Sequence, residues 1–123
     1  MFTLETKDDL KSLNGENTLG ENMADFGGLV TAYDIFVEKK IKEGYAGEEF
    51  IRQKKMFFQS FAIGWTNVDD EDFLAWRIEN DEHAPGSFRV NGNVCQIDDW
   101  YELYNVQKSD RYYLDPSQRV ILW

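Results

Sequence analysis

The sequence predicts a mainly α-helical domain, because its apolar residues follow helical spacing in several stretches. They recur every three or four positions from residue 19 to residue 41, as they do on one face of a helix. A phenylalanine-rich stretch follows at residues 47–65, and shorter helical patterns surround Phe73 and run from Ile97 to Tyr104. With 123 residues and no internal repeat, the chain fits one compact unit.

The first helix is predicted to begin after Thr18 and to end near Gly44. Thr18 is a good N-cap residue, and Glu21 lies three positions later, as a capping box requires. The apolar positions that predict its buried face are Leu19, Met23, Phe26, Val30, Tyr33, Val37 and Ile41. Two adjacent glycines, Gly27 and Gly28, weaken a helix interior, so we expect another segment to pack closely there.

The apolar patterns that predict the later elements are less regular than that of the first helix. The helix over residues 47–65 is apolar around most of its circumference, which is typical of a central buried helix. Residues 88–90 are predicted as a short extended segment before a turn at residues 91–92, where Asn and Gly are adjacent. Trp100, Tyr101 and Tyr104 are expected on the buried side of the last helix. The apolar tail, residues 119–123, is expected to dock against the body.

Composition argues against several classes of function. Asp and Glu number 23 against 13 Lys and Arg, a net charge of −10, which repels nucleic-acid phosphates and anionic lipid headgroups. No apolar run approaches the roughly 20 residues needed to cross a bilayer. Cys95 is the only cysteine, so the chain has no internal disulfide, and we expect a reducing, cytoplasmic compartment. We therefore expect neither nucleic-acid nor membrane partners.

Two acidic residues of the first helix form the first candidate site. Glu21 and Asp25 are four positions apart, so their carboxylates project from one face, away from the predicted apolar stripe. Such a pair suits a metal ion that takes one carboxylate while a metal-bound histidine hydrogen-bonds to the other. The alternative is structural, with Glu21 in the capping box and Asp25 solvated.

The second candidate site combines Asp81, His83 and Arg89. Asp81 lies two residues before the only histidine of the chain and can orient its imidazole. A positioned imidazolium stabilises a developing oxyanion, and a guanidinium binds a carbonyl or carboxylate. Here too the alternative is structural: a loop histidine beside acidic neighbours, and Arg89 in an ion pair.

Four motifs resemble the neprilysin and oligopeptidase O family of zinc metallopeptidases. Residues 14–29, NGENTLGENMADFGGL, resemble the family pattern NGxxTLGENxADxGGL. Residues 81–92, DEHAPGSFRVNG, resemble DxHxPxxFRVxG, and residues 57–65, FFQSFAIGW, resemble FFxxxAxxW. The terminal RVILW, residues 119–123, resembles RVxxW. The motifs occur in family order and extend over most of residues 14–123, whereas residues 1–13 match poorly.

The resemblance implies a fold, an activity and a role for each candidate residue. The expected fold is the helical C-terminal portion of a thermolysin-like (gluzincin) catalytic domain. Glu21 is implied as a zinc ligand and Asp25 as the partner that orients a zinc-bound histidine. His83, supported by Asp81, is implied as the donor to the tetrahedral intermediate, and Arg89 as the residue that binds the carbonyl of the peptide substrate.

One departure from the family pattern limits what this chain can do. The family's HExxH motif, which supplies two zinc-binding histidines and the general base, does not occur here, and one histidine cannot supply it. We therefore expect a C-terminal piece of a bacterial zinc metalloendopeptidase acting on short peptides. It should be inactive without the N-terminal portion and prone to self-association through exposed apolar surface. The alternative is a stand-alone, non-catalytic domain that binds peptides or a partner protein.

Overall fold

In the computed structural model, which describes residues 3–5 and 10–122, a short β-hairpin is followed by five α-helices. Strands β1 (Thr3–Glu5) and β2 (Leu10–Ser12) are antiparallel, with Leu4 opposite Lys11. The helices are α1 (Gly15–Lys42), α2 (Gly47–Gly64), α3 (Glu71–Asn80), α4 (Gly86–Val94) and α5 (Asp98–Tyr104), and a 3₁₀ turn follows at Pro116–Gln118. The mainly α prediction is confirmed.

Helix α1 begins four residues earlier than predicted. Asn14 is its N-cap, and the Asn14 side chain accepts a hydrogen bond from the Asn17 amide at 3.2 Å. Thr18 therefore lies inside the first turn, where it is fully buried and its hydroxyl donates to the Asn14 carbonyl. The predicted capping box of Thr18 and Glu21 is wrong, because asparagine serves the same capping role one turn earlier.

The buried face of α1 is narrower than the predicted stripe. Phe26, Leu29 and Tyr33 are buried, whereas Leu19 and Ile41 are 59% and 58% exposed. The packing partners of α1 are α2 and α4, and its buried apolar residues lie in its middle turns, so the predicted stripe is wrong at both ends. The helix ends as predicted, since Gly44 follows with φ of +86°, a left-handed conformation that suits glycine.

The main core lies where α1, α2, α4 and α5 meet. Its buried members are Leu29, Tyr33, Phe58, Val94 and Leu103. Helix α2 follows its predicted bounds, but Phe58 is its one buried residue, and Ile51, Met56 and Ile63 are exposed. The prediction of a central buried helix is therefore wrong within the described residues, where a single face of α2 packs on its neighbours.

Residues 88–90 belong to helix α4 and not to an extended segment. The Pro85 carbonyl accepts hydrogen bonds from the amides of Phe88 and Arg89, which starts the helix, and the Asn–Gly pair at residues 91–92 lies within it. Phe88 packs with Ile78 of α3 and Ala84 in a second small core cluster. This burial explains why a helix forms despite a turn-like dipeptide.

The last parts of the described chain are helix α5 and the tail. Tyr101 and Leu103 are buried, whereas Tyr104 is 37% exposed, so the predicted buried face is only partly right. In the tail, the Val120 amide donates to the Gln96 side chain at 2.9 Å, and Arg119 stacks 3.6 Å from the Tyr101 ring centre. Ile121 is 83% exposed, so docking is partial, and residue 123 lies outside the described residues.

The adjacent glycines of α1 do not mark a tight approach. A Cβ atom at Gly27 would lie 3.8 Å from Leu122, an ordinary contact, and one at Gly28 would meet no described atom within 4 Å. The expected close packing at this pair is therefore wrong for the part of the chain that is described. In that same part, no helix combines the length and apolarity needed to cross a bilayer.

Candidate functional site

The two candidate sites of the sequence come together at one place. Helix α1 packs on α4, which brings the face of Glu21 and Asp25 against the segment that holds His83 and Arg89. Each acidic side chain thereby meets one basic partner: Glu21 meets His83, and Asp25 meets Arg89. Because residues four apart in a helix lie about one turn apart, the two pairs are neighbours along α1.

His83 lies between two carboxylates. Its Nε2 atom is 3.3 Å from Glu21 Oε2, and its Nδ1 atom is 3.4 Å from Asp81 Oδ1. The side chains of His83 and Glu21 are 42% and 44% exposed, so both remain accessible to solvent. Each ring nitrogen of His83 therefore faces one carboxylate oxygen, which holds the imidazole between α1 and the end of α3.

The carboxylate of Asp81 is held on both oxygens. Oδ1 accepts a hydrogen bond from the His83 backbone amide at 2.9 Å, and Oδ2 accepts one from Arg77 Nε at 3.3 Å. The amide hydrogen bond, followed by the Arg77 contact, lowers the pKa of Asp81 below its usual value. Asp81 therefore stays ionised beside His83 across the neutral range.

Arg89 is fixed by three contacts. It makes a two-pronged ion pair with Asp25, in which Nη2 donates to Oδ1 at 2.6 Å and Nε donates to Oδ2. Its guanidinium carbon lies 3.9 Å from the ring centre of Trp65, and the Arg89 and Asp25 side chains are each only 13% exposed. This pair agrees with the structural alternative for Arg89, and it also holds the guanidinium in one orientation.

Three polar residues that the sequence analysis did not select help to assemble the site. Asn17 Nδ2 donates to the carbonyl of Asp81 at 3.0 Å and so joins the first turn of α1 to the end of α3. Arg77 contacts Asp81 and also Asp69, whose Oδ2 accepts from Nη1 at 3.0 Å. The spacing of four between Arg77 and Asp81 was a usable signal for that pair, since such residues neighbour each other on a helix.

The described residues do not complete a metal site by themselves. No three side chains of His, Cys, Asp or Glu come together as a metal-binding group within the part of the chain that is described. The accessible carboxylate of Glu21 fits the role of a single ligand, and its neighbour His83 is the one imidazole within reach. A complete site would need donors from outside the described residues.

A cavity of about 500 Å³ lies next to the candidate site. Asp69, which pairs with Arg77, is one of its lining residues. It opens between the end of α2, the loop after it, α3 and the start of α4. Its lining residues are Ala62, Trp65, Thr66, Asn67, Val68, Asp69, Leu74, Pro85, Gly86, Ser87, Val90 and Asn91. His83 and Arg89 are not among them.

A sequence model of Peptidase family M13 matches residues 2–120 of this chain. The chain belongs to that family. It is 32% identical to neprilysin of Homo sapiens over 114 residues, which is 90% of this chain and 15% of that protein. It is 36% identical over 119 residues to an endothelin-converting enzyme homolog of Locusta migratoria, covering 94% of this chain and 16% of that protein. No solved structure matches the chain.

A bacterial relative shows a similar identity over a similar share of the chain. The chain is 31% identical to the neutral endopeptidase of Lactobacillus helveticus over 111 residues, 90% of this chain and 16% of that protein. The chain thus spans about 15% of the length of these relatives. The resemblance to the neprilysin family is confirmed, and the chain is related to metallopeptidases. The division at residue 13 and the individual residue roles stay predictions.

Proposed function

We propose that this chain is the C-terminal part of the catalytic domain of a zinc metalloendopeptidase that hydrolyses peptide bonds in short peptides. The observation that carries the proposal is the convergence of Glu21, Asp25, His83 and Arg89 at the contact between α1 and α4. Because the chain belongs to Peptidase family M13, we interpret these four residues as part of a peptidase active site. Because the sequence has no HExxH motif and a single histidine, the proposal assigns the general base and the remaining zinc ligands to polypeptide outside this chain.

Each residue of the site has a distinct task in this proposal. Glu21 contributes one zinc ligand, and the remaining ligands come from a polypeptide segment that contains HExxH. Asp25, held by Arg89, orients a histidine of that segment. His83 donates a hydrogen bond to the oxygen that becomes negatively charged, with Asp81 keeping its imidazole oriented. Bound zinc supplies Lewis acidity and an activated water.

Arg89 and Trp65 support substrate binding in this proposal. The ion pair with Asp25 and the stacking on Trp65 hold the guanidinium before a substrate arrives. A guanidinium fixed in advance loses little side-chain entropy when it binds a peptide carbonyl. Arg89 therefore acts by binding the substrate in both the ground state and the transition state, whereas His83 acts mainly in the transition state.

The proposed partners follow from the incomplete site. They are short peptide substrates and the N-terminal portion of the catalytic domain, and not nucleic acid or membranes. Exposed apolar side chains near the site, including Leu19 at 59% and Met23 at 38%, would support contact with that portion or self-association in its absence. A bacterial cytoplasmic location is proposed from the lone cysteine, because disulfides are rare in that compartment.

Substitutions in the complete enzyme test the division of tasks. Glu21→Ala should remove zinc and activity together, because it deletes a metal ligand. His83→Ala should retain zinc but lower kcat by about 10²–10³, the usual loss for one oxyanion-stabilising donor. Arg89→Met should raise KM and lower kcat/KM while zinc is retained. Metal content and steady-state kinetics measure these outcomes.

A control on the same helix makes the test specific. Glu38→Ala removes an exposed carboxylate of α1 that pairs with Lys42, and it should leave both zinc content and kinetics unchanged. If His83→Ala loses its zinc, or Glu21→Ala keeps both zinc and activity, the assignment at that residue is wrong. A complete enzyme that neither binds zinc nor cleaves peptides would favour the alternative of a non-catalytic binding domain.

A further inference from the structure

Arg77 forms ion pairs with two acidic residues, Asp69 and Asp81, next to the candidate site. It lies on α3, and its Nη1 donates to Asp69 Oδ2 at 3.0 Å while its Nε donates to Asp81 Oδ2 at 3.3 Å. The side chains of Arg77 and Asp69 are only 16% and 15% exposed. Ion pairs with so little solvent exposure are screened less than surface pairs, and their geometry is correspondingly well defined.

The two oxygens of the Asp81 carboxylate have different partners. Oδ2 faces Arg77, and Oδ1 faces the backbone amide and Nδ1 of His83 at 2.9 and 3.4 Å. The χ2 torsion that turns an aspartate carboxylate has a broad range, so contacts at both oxygens restrict it more than a contact at one. The Arg77 contact therefore keeps Oδ1 directed toward His83, and His83 in turn directs Nε2 toward Glu21.

The other end of the network is anchored independently. Asp69 Oδ2 also accepts a hydrogen bond from Asn67 Nδ2 at 2.6 Å, and both residues belong to the loop between α2 and α3. That loop is itself held by Gly86 of α4, which packs against the Trp65 carbonyl. Arg77 thus joins this loop to Asp81 at the end of α3.

We propose that Arg77 is a positioning residue that acts through Asp81 to hold the His83 imidazole opposite Glu21. Its ion pairs are with Asp69 and Asp81, so its effect on His83 passes through the Asp81 carboxylate. The meaning of this orientation for catalysis rests on the function proposed above. The orientation itself is a property of this chain and can be measured without activity.

The test uses the fact that His83 is the only histidine of the chain, so its ring signals in NMR spectra are unambiguous. Arg77→Met should accelerate hydrogen exchange of the His83 amide by about tenfold or more, because its acceptor on Asp81 is no longer fixed. It should also weaken nuclear Overhauser effects between the His83 ring and Glu21. Arg77→Lys keeps the charge but has one nitrogen for two carboxylates, so it should restore protection only in part.

Two further variants separate positioning from general stability. Arg52→Met removes an exposed two-pronged pair with Glu49 on α2 and should leave His83 unchanged. Asp69→Asn removes the anchor of Arg77 with little change in shape and should reproduce a weaker form of the Arg77→Met effect. Its circular dichroism should match that of the unmodified chain, which keeps the test valid if Arg77→Met does not fold.

The proposal is overturned if His83 exchange and ring contacts are unchanged in both the Arg77 and Asp69 variants. It is also overturned if every core amide accelerates by the same factor as His83, since that outcome assigns Arg77 a merely structural role. Failure of the proposed function would give a different experimental result. In that case the complete enzyme would tolerate His83→Ala, while the effect of Arg77 on His83 in this chain would persist.

Discussion

At the scale of single residues, Cys95 shows how burial determines chemistry. Its side chain is fully buried, and Sγ lies 3.5 Å from the Gly92 carbonyl oxygen. The Cys95 carbonyl accepts a hydrogen bond of 2.6 Å from the buried Tyr101 hydroxyl, which also accepts one from the Leu114 amide at 3.0 Å. The only cysteine of the chain therefore belongs to the packing between α4 and α5, as expected of a lone cysteine without a histidine partner.

We expect Cys95 to react slowly with thiol reagents in the folded chain. Burial raises its pKa to about 11, and the thiolate is the reactive form. At pH 8, labelling with Ellman's reagent should be slower than in the denatured chain by about a hundredfold or more. Denaturation should release one reactive thiol. Rapid stoichiometric labelling of the folded chain would contradict the buried position.

At the scale of elements, the start of α4 decides where the site segment lies. Gly86 is the first residue of that helix, and its backbone lies directly against the chain at the end of α2. A Cβ atom at this position would lie 2.3 Å from the Trp65 carbonyl oxygen and 2.8 Å from Asn67 Oδ1. Because the first of these contacts is backbone, a side chain at residue 86 would force α4 and the loop apart.

Gly86→Ala should therefore destabilise the chain by about 1–3 kcal/mol, the usual cost of overpacking. Gly28→Ala is the matched control, since it adds the same methyl group inside α1, where no described atom lies within 4 Å. Alanine has the higher helix propensity, so this variant should gain up to about 1 kcal/mol. Urea unfolding monitored by circular dichroism measures both. A Gly86 variant as stable as the original would exclude the tight contact.

At the scale of the whole molecule, the structure contains two small core clusters and a chain of polar contacts. One cluster lies among α1, α2, α4 and α5, and the other around Ile78 and Phe88. The polar contacts lead from Glu21 through His83, Asp81 and Arg77 to Asp69. The fold of this chain therefore brings the candidate residues together, although the described residues form no group of three metal-binding side chains.

The isolated chain should show no peptidase activity and only weak zinc binding. It provides one carboxylate ligand, which cannot approach the roughly 10 kcal/mol or more of a structural zinc site. A quenched peptide substrate with added zinc, and calorimetry with zinc alone, measure the two properties. Glu21→Ala should give the same fluorescence baseline as the unmodified chain. Chelator-sensitive cleavage, or a tight one-to-one zinc complex, would contradict this expectation.

The long helices were predictable because their determinants are local. Apolar spacing and glycine at the C-terminal end placed α1 and α2 closely, and the family motifs identified the residues that converge at the site. Errors arose where two local signals competed. Asn14 capped α1 before Thr18, and burial of Phe88 against Ile78 and Ala84 made α4 helical despite Asn–Gly.

The sequence by itself determined the family, the mainly α fold and the identity of the acidic, imidazole and guanidinium groups. Only the tertiary structure decided which of them meet. Glu21 and Asp25 have no basic partner on their own helix face, and their partners lie more than 60 residues away. Local patterns report the propensity of a segment, whereas ion pairs between distant segments depend on how α1 packs against α4.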